Sequence, residues 1–178
     1  MFCGPRQIIL LIAGMCSASC AAVKQPEPTV YTLHCGAHRL RFAFPTRWYP
    51  QPASSRNALI FAPGSPTNAP AVQITVTPRK PALQGLDDYA AQERLVHDYL
   101  VDLRRTSWSD AGILREDKLR SRDDREIFQW LELSNTRHLV SFVPFQECVA
   151  EINMWGEEID QPASRDDFKI VVSSLRVE

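Results

Sequence analysis

The sequence predicts an α+β domain in which an antiparallel β-sheet is covered by two main helices. Three observations carry this expectation. Short runs of β-branched and aromatic residues, alternating with polar ones, recur along most of the chain. One long run, Leu86 to Arg105, repeats its apolar residues at helical spacing instead. A shorter run near the end, Ser164 to Leu175, does the same. Strands in sequence order with short connections favour antiparallel pairing, and two helices suffice to cover one face or end of such a sheet.

The elements follow in order. Thr29 to His34 is rich in β-formers, Cys35-Gly36-Ala37 makes a turn, and His38 to Phe44 alternates Leu40, Phe42 and Phe44 with Arg39, Arg41 and Ala43. Two such runs around a Gly-containing turn read as a hairpin, which Pro45 ends. Trp48 and Tyr49, between Pro45 and Pro50, read as a loop anchor packed over the core. Gln51 to Pro70 reads as irregular, with a short strand at Ala58 to Ala62. Val72 to Thr77 is a strand with Val72, Ile74 and Val76 on one face.

In the long helix, Leu86, Tyr89, Ala90, Val96, Leu100 and Leu103 form the predicted apolar stripe. Asp87 and Asp88 at its start and Arg104 and Arg105 at its end suit the helix dipole. Four strand-like segments follow: Ile113 to Leu119, Glu126 to Ser134, Arg137 to Val143 and Glu147 to Trp155. The pairs Asp123-Asp124 and Asn135-Thr136 punctuate them as turns, so they form a meander. In the closing helix Ser164 is the predicted N-cap, and Phe168, Val171, Val172 and Leu175 form its apolar face.

Composition narrows the function classes. The chain has 178 residues, is 44% hydrophobic and 23% charged, and balances 20 Lys and Arg against 21 Asp and Glu. This is globular composition at one-domain length, and without a basic excess a general nucleic-acid binder is not expected. No apolar run is long enough for a spanning helix.

The N-terminus reads as an address. Residues 1–19 form a signal peptide, with Arg6 in its n-region, Ile8 to Ile12 at the centre of its apolar stretch, and Ser17, Ala18 and Ser19 small. About eight apolar residues span only ~12 Å as a helix, too short for a stable anchor. Ser17-Ala18-Ser19-Cys20 resembles the bacterial lipobox, departing from it at Ser17 where the pattern prefers Leu. The resemblance implies lipid attachment at Cys20. The other reading is a freely secreted chain cut near Ala22. With Ala21 rather than Asp after Cys20, resemblance to enterobacterial sorting implies the outer membrane, on the periplasmic side. Residues 20–28 then form a tether stiffened by Pro26 and Pro28, and 29–178 a single α+β domain.

Of five cysteines, processing removes Cys3 and Cys16 and lipidation uses Cys20. Cys35 and Cys148 remain, an even number for an oxidising compartment, and are predicted to form a disulfide. The alternative is two separate buried thiols.

The order of elements resembles the PsbP-like family, named for an extrinsic subunit of photosystem II. The residues that carry the resemblance are the hairpin ending Phe42-Ala43-Phe44-Pro45 with Trp48, the helix after Leu86, the meander, and the closing helix with Ile170-Val171-Val172-Ser173-Ser174. It implies an α/β/α sandwich, shared by exported bacterial lipoproteins, some of them immunity proteins. It also implies binding or assembly roles without catalysis. The Pro-rich Gln51 to Pro70 stretch and Cys35 with Cys148 depart from it. Fold alone does not assign function, and no functional residue is carried over.

The residues themselves offer little chemistry. His34, Cys35 and His38 make an H-C-x-x-H pattern, one ligand short of an ordinary zinc site, and neighbours on a strand face opposite sides; no metal site is expected. His97 beside the helical stripe reads as an interfacial histidine, and His138 as an exposed one at a strand start. No strained serine elbow of the G-x-S-x-G kind, phosphate loop or dinucleotide fingerprint is present. Cys148 has no His near it in sequence to activate it as a thiol nucleophile. The acidic pairs Asp87-Asp88, Glu116-Asp117, Asp123-Asp124, Glu157-Glu158 and Asp166-Asp167 match no calcium loop. The expectation is therefore a non-enzymatic envelope lipoprotein without cofactor, binding a protein partner on the periplasmic side. One version is an immunity protein that neutralises a secreted toxic effector through Gln51 to Pro70 and the meander turns. The alternatives are a small-molecule or lipid carrier, which needs an internal apolar cavity, and an accessory subunit of an envelope assembly.

Overall fold

The computed structural model describes residues 27–52, 57–63, 70–106, 112–121, 124–133, 138–156, 159 and 161–178. The expected signal peptide and Cys20 lie outside the described residues, as does most of the expected tether. So do 53–56 and 64–69 of the Pro-rich stretch and the turn residues 122–123 and 134–137.

Two antiparallel sheets stack face to face. The first holds β1 (Thr29–Cys35), β2 (His38–Phe44) and the two-residue β10 (Arg176–Val177), in the order β1-β2-β10. The second has seven strands in the order β3-β4-β5-β9-β8-β7-β6: β3 (Trp48–Gln51), β4 (Ala58–Pro63), β5 (Ala71–Pro78), β6 (Gly112–Arg120), β7 (Glu126–Leu133), β8 (His138–Pro144) and β9 (Cys148–Trp155). The helices are α1 (Asp88–Thr106) and α2 (Pro162–Ser174). The α+β class holds, but the strands divide between two sheets and the two helices join different cores rather than sharing one face.

Alternation along the strands explains this division. On β7 and β8, Ile127, Leu139 and Val143 belong to one core, whereas Phe128, Val140 and Phe142 belong to the other. β8 is accordingly buried along its whole length, as a central strand covered on both faces must be. The larger core lies between the sheets. Leu40, Phe42 and Phe44 from β2 meet Phe61, Ile74, Ile152 and Met154 of the seven-stranded sheet, and α2 adds Phe168, Val171 and Val172. Phe44 stacks on Phe61 at 3.8 Å between centroids, and Tyr31 meets Phe61 edge-on at 4.7 Å. The second core lies under α1.

Three sequence expectations need correction here. Trp48 and Tyr49 form the edge strand β3 rather than a loop. Pro50 is compatible with an edge because its missing N–H interrupts no ladder beyond it. Trp48 is buried and Tyr49 is 53% exposed. The stripe of α1 is rotated: Ala91, Gln92, Leu95, Val96, Leu100 and Leu103 face the sheet, whereas Leu86 and Tyr89 are exposed. The helix starts later than Leu86 because Asp87 caps it, its Oδ1 accepting from Ala90 N at 2.8 Å. In α2 the helix begins at Pro162 with Gln161 as N-cap, not at Ser164. Proline is preorganised for the first helical position, and this one moves the start two residues upstream.

Cys35 and Cys148 are joined in a disulfide that links the hairpin to the seven-stranded sheet. Beside it, Ala37 N donates to Glu147 Oε2 at 2.7 Å. Gly36 occupies the first place of the two-residue hairpin loop at φ +61°. A side chain there would be strained, and its Cβ would lie 2.9 Å from Glu147 Cβ. The hairpin tip is thus clamped to the β8–β9 turn by a covalent bond and a carboxylate. Two arginines brace the same turn. Arg79 donates to Phe145 O and Leu83 O, and Arg125 bonds Asp88 and Pro144 O while lying over the Phe145 ring.

Candidate functional site

α1 lies over β7 and β8. The strands β9, β5, β4 and β3 continue the same sheet face beyond it. Val149 of β9 packs into the core under α1, so the residues at the same alternation, Glu151, Asn153 and Trp155, share that face. Register places Thr75, Gln73 and Ala71 of β5 opposite them, Ala58 and Ile60 of β4 next, and Gln51 and Tyr49 of β3 at the edge. The opposite face of these strands is apolar core. Hydrophobic burial accounts for Ile152 and Met154, but not for a row of Glu, Asn, Trp and Gln on the other side.

The polar row is organised at its junction with α1. Asn153 Nδ2 donates to Tyr99 Oη at 3.0 Å, and Asn153 Oδ1 lies 3.0 Å from His138 Nδ1, so the imidazole donates through Nδ1. His138 stacks beside Trp155 at 6.5 Å, and Tyr99 meets Phe142 edge-on at 5.8 Å. Gln73 Nε2 donates to Thr75 Oγ1 at 2.8 Å. Glu151 stands between Thr75 and Phe142 by register. Burial pushes its carboxyl pKa upward, and no cation pairs with it among the described residues. A half-buried carboxylate without a counter-charge is costly to keep ionised, and a residue that costs stability without a structural return is a binding candidate. This face can accept hydrogen bonds and a positive charge, and it presents Trp155 and Tyr49 as aromatic anchors.

The sequence-predicted residues fall elsewhere. Cys20 lies outside the described residues. Cys35 and Cys148 form the disulfide. His34 is exposed on β1 while Cys35 is buried, so the H-C-x-x-H pattern is not gathered on one side; His38 lies 3.9 Å from Glu147. His97 is exposed on α1 rather than interfacial, because the rotated stripe turns that position outward. His138, expected to be exposed, is 8% exposed. It sits at the start of the central strand, where Asn153 and Trp155 enclose it, and burial pushes its pKa down. The acidic pairs are in structural use where described. Asp87 caps α1, and Asp88 pairs with Arg125 at 3.0 Å. Asp166 lies 3.7 Å from Lys169. Asp167 accepts from Trp48 Nε1 at 2.7 Å and from Arg47 Nε at 2.8 Å. Asp123, Glu157, Glu158 and Asp160 lie outside the described residues. Of the segments expected to contact a partner, 64–69 and 134–137 also lie outside. Ala71 and His138 flank Trp155 in the register.

Sequence reasoning missed Glu151, Asn153, Trp155, Gln73 and Tyr99. A signal was present in Cys148 to Trp155, where Ala150, Ile152 and Met154 alternate with Glu151, Asn153 and Trp155. A strand in mid-sheet normally carries apolar residues on both faces once helices cover it.

No family model matches the chain, and no curated protein matches it. Among solved structures, the chain is similar to the solution structure of cyanobacterial PsbP (CyanoP) from Synechocystis sp. PCC 6803. The TM-score is 0.60 at 14% identity, over 91% of this chain and 99% of that one. It also aligns with a crystal structure from Bacteroides thetaiotaomicron at TM-score 0.45 and 8% identity, over 86% of this chain and 49% of the other. The two stacked layers, the hairpin that closes onto α2 and the match to cyanobacterial PsbP along nearly its full length give the conclusion that this chain has the PsbP-like fold.

Proposed function

We propose that the protein is an exported envelope lipoprotein, anchored through Cys20 on the periplasmic side of the outer membrane, that binds a protein partner and performs no catalysis. The observation that carries the export half is the Cys35–Cys148 disulfide, a bond that persists in oxidising compartments. The partner half is supported by the half-buried sheet face with Glu151, Asn153 and Trp155 and the exposed Tyr49 at its edge, which has the mixed aromatic and polar make-up of an interface centre. An immunity role, neutralising a secreted effector, is the specific version of this reading. The carrier alternative has less support, since Phe42, Phe44, Phe61, Phe168 and Met154 fill the space between the sheets.

The test is a photo-crosslinker placed at Gln73, expressed in the native host and read by mass spectrometry. One dominant protein should be captured, and Glu151→Lys should abolish its capture. A neighbouring gene encoding a secreted toxin that this chain inhibits would establish the immunity version. No dominant crosslink at Gln73, or one indifferent to Glu151→Lys, refutes the reading.

A further inference from the structure

The outer face of the three-stranded sheet is the side of the domain that the larger core does not use. Alternation places Leu40, Phe42 and Phe44 inward, so Arg39, Arg41 and Ala43 face out. Register sets His34, Thr32 and Val30 of β1 opposite them and Arg176 of β10 beside Arg41. The face therefore carries three arginines. Its acid is Glu178, whose Oε1 is shared by Arg41 and Arg176 at 2.9 Å each. Among the described residues Arg39 has no side-chain partner. A chain of net charge −1 thus concentrates a positive surface on one small sheet. At the end of that face stands Val30, 45% exposed and paired with Ala43, and Ser174 Oγ of α2 accepts from Ala43 N at 2.8 Å while donating to Val171 O at 2.7 Å. One turn earlier on α2, Ile170 is 40% exposed. Pro28 lines the grooves beside both Val30 and Ile170.

We propose that this face docks on an anionic phospholipid surface, the guanidinium groups of Arg39, Arg41 and Arg176 taking headgroup phosphates while Val30 and Ile170 touch the interface. The inference rests on the lipid-anchor reading and adds which side of the domain meets the bilayer. Chain length supplies the geometry. Thr29, where β1 begins, lies nine positions after Cys20, a reach of at most about 32 Å. That is less than the roughly 38 Å width expected of a domain this size, so the side where the tether enters stays near the headgroups. Guanidinium groups bind phosphate in a forked geometry, and basic residues close to an anionic leaflet each strengthen attachment.

The test uses the full chain as processed by its host, reconstituted into phosphatidylethanolamine vesicles containing phosphatidylglycerol, and in parallel into phosphatidylcholine vesicles. Hydroxyl-radical labelling is read at Val30 and His34, with Tyr49 on the seven-stranded sheet as the internal reference. Labelling of Val30 and His34 should fall several-fold in the anionic vesicles alone, recover at high salt, and leave Tyr49 unchanged. Arg39→Glu with Arg41→Glu should restore labelling, docking weakening about fivefold per arginine removed. Should the double variant unfold, Arg39→Gln alone, at a side chain without a described partner, gives the same direction. Equal labelling in both vesicle types, or protection in phosphatidylcholine as well, overturns the proposal and leaves the face to an acidic protein. Acylation is scored separately from the mass of the N-terminal peptide. An unacylated Cys20 sinks the anchor and the docking built on it, whereas an acylated chain with an open outer face sinks the docking alone.

Discussion

Removing the Cys35–Cys148 bond should destabilise the domain strongly without removing any core side chain larger than cysteine. The bond closes a loop of 113 residues, and in the chain-entropy treatment that length corresponds to about 4.8 kcal/mol at 25 °C. For a domain of this size each kcal/mol moves the thermal midpoint by about 2–4 °C, so the expected fall is about 10–20 °C. The double variant Cys35→Ala/Cys148→Ala leaves no unpaired thiol, so circular-dichroism melting of this variant against the oxidised parent isolates the crosslink. The clamp of Glu147 on Ala37 stays in place, so the fold should survive and the folded spectra should coincide. A midpoint shift of less than about 3 °C, which corresponds to only about 1 kcal/mol, would show that the loop closure is already supplied by other contacts and refute the reasoning.

Other consequences follow from single residues. Asp167→Ala leaves the buried Trp48 indole N–H without its acceptor and should cost about 1–3 kcal/mol, measurable by urea unfolding. Asp167→Asn, which keeps an acceptor oxygen, should cost less. Glu151 has its folded pKa raised by burial, so ionisation above its ordinary value of about 4.3 opposes folding. Glu151→Gln should therefore stabilise the protein at pH 7 and make no difference near pH 3, while weakening partner capture. A loss of stability at pH 7 would show that the carboxylate is satisfied. His138 has its folded pKa lowered by burial, so protonation favours the unfolded chain. Stability should decline as pH falls below about 6.5, and the slope between pH 7 and pH 5 should flatten in His138→Gln.

Much of the architecture was legible because period and chemistry agreed locally. The hairpin, the strand at Val72 to Thr77, the meander and the apolar face of Phe168, Val171, Val172 and Leu175 follow from alternation of 2.0 or 3.6 residues read directly from the sequence. The disulfide was legible from cysteine parity. What failed depended on long-range placement. Trp48-Tyr49-Pro50-Gln51 has no strand pattern of its own and becomes β3 because β4 offers it an edge. Arg176–Val177 is too short to be read at all and becomes β10 because Arg41 and Leu40 are free to pair. On α1, Leu86 and Tyr89 are as hydrophobic as Leu95 and Leu100, so periodicity alone left the stripe's phase open. Its position over Phe128 and Phe142 decides it. His138 is buried because its strand is central, a property of sheet order rather than of its neighbours in sequence. The candidate face eluded the sequence for the same reason, since Gln73, Asn153 and Tyr99 are brought together only by the pairing of β5 with β9 and the seating of α1.

Export followed by anchoring at Cys20 is decided by the intact mass of the protein isolated from its own host. The mature chain should begin at Cys20, carry a diacylglyceryl group there, and weigh two hydrogens less than the reduced form because Cys35 and Cys148 are bonded. A chain that still begins at Met1, with Cys20 bare and Cys35 and Cys148 reactive as free thiols, would contradict it.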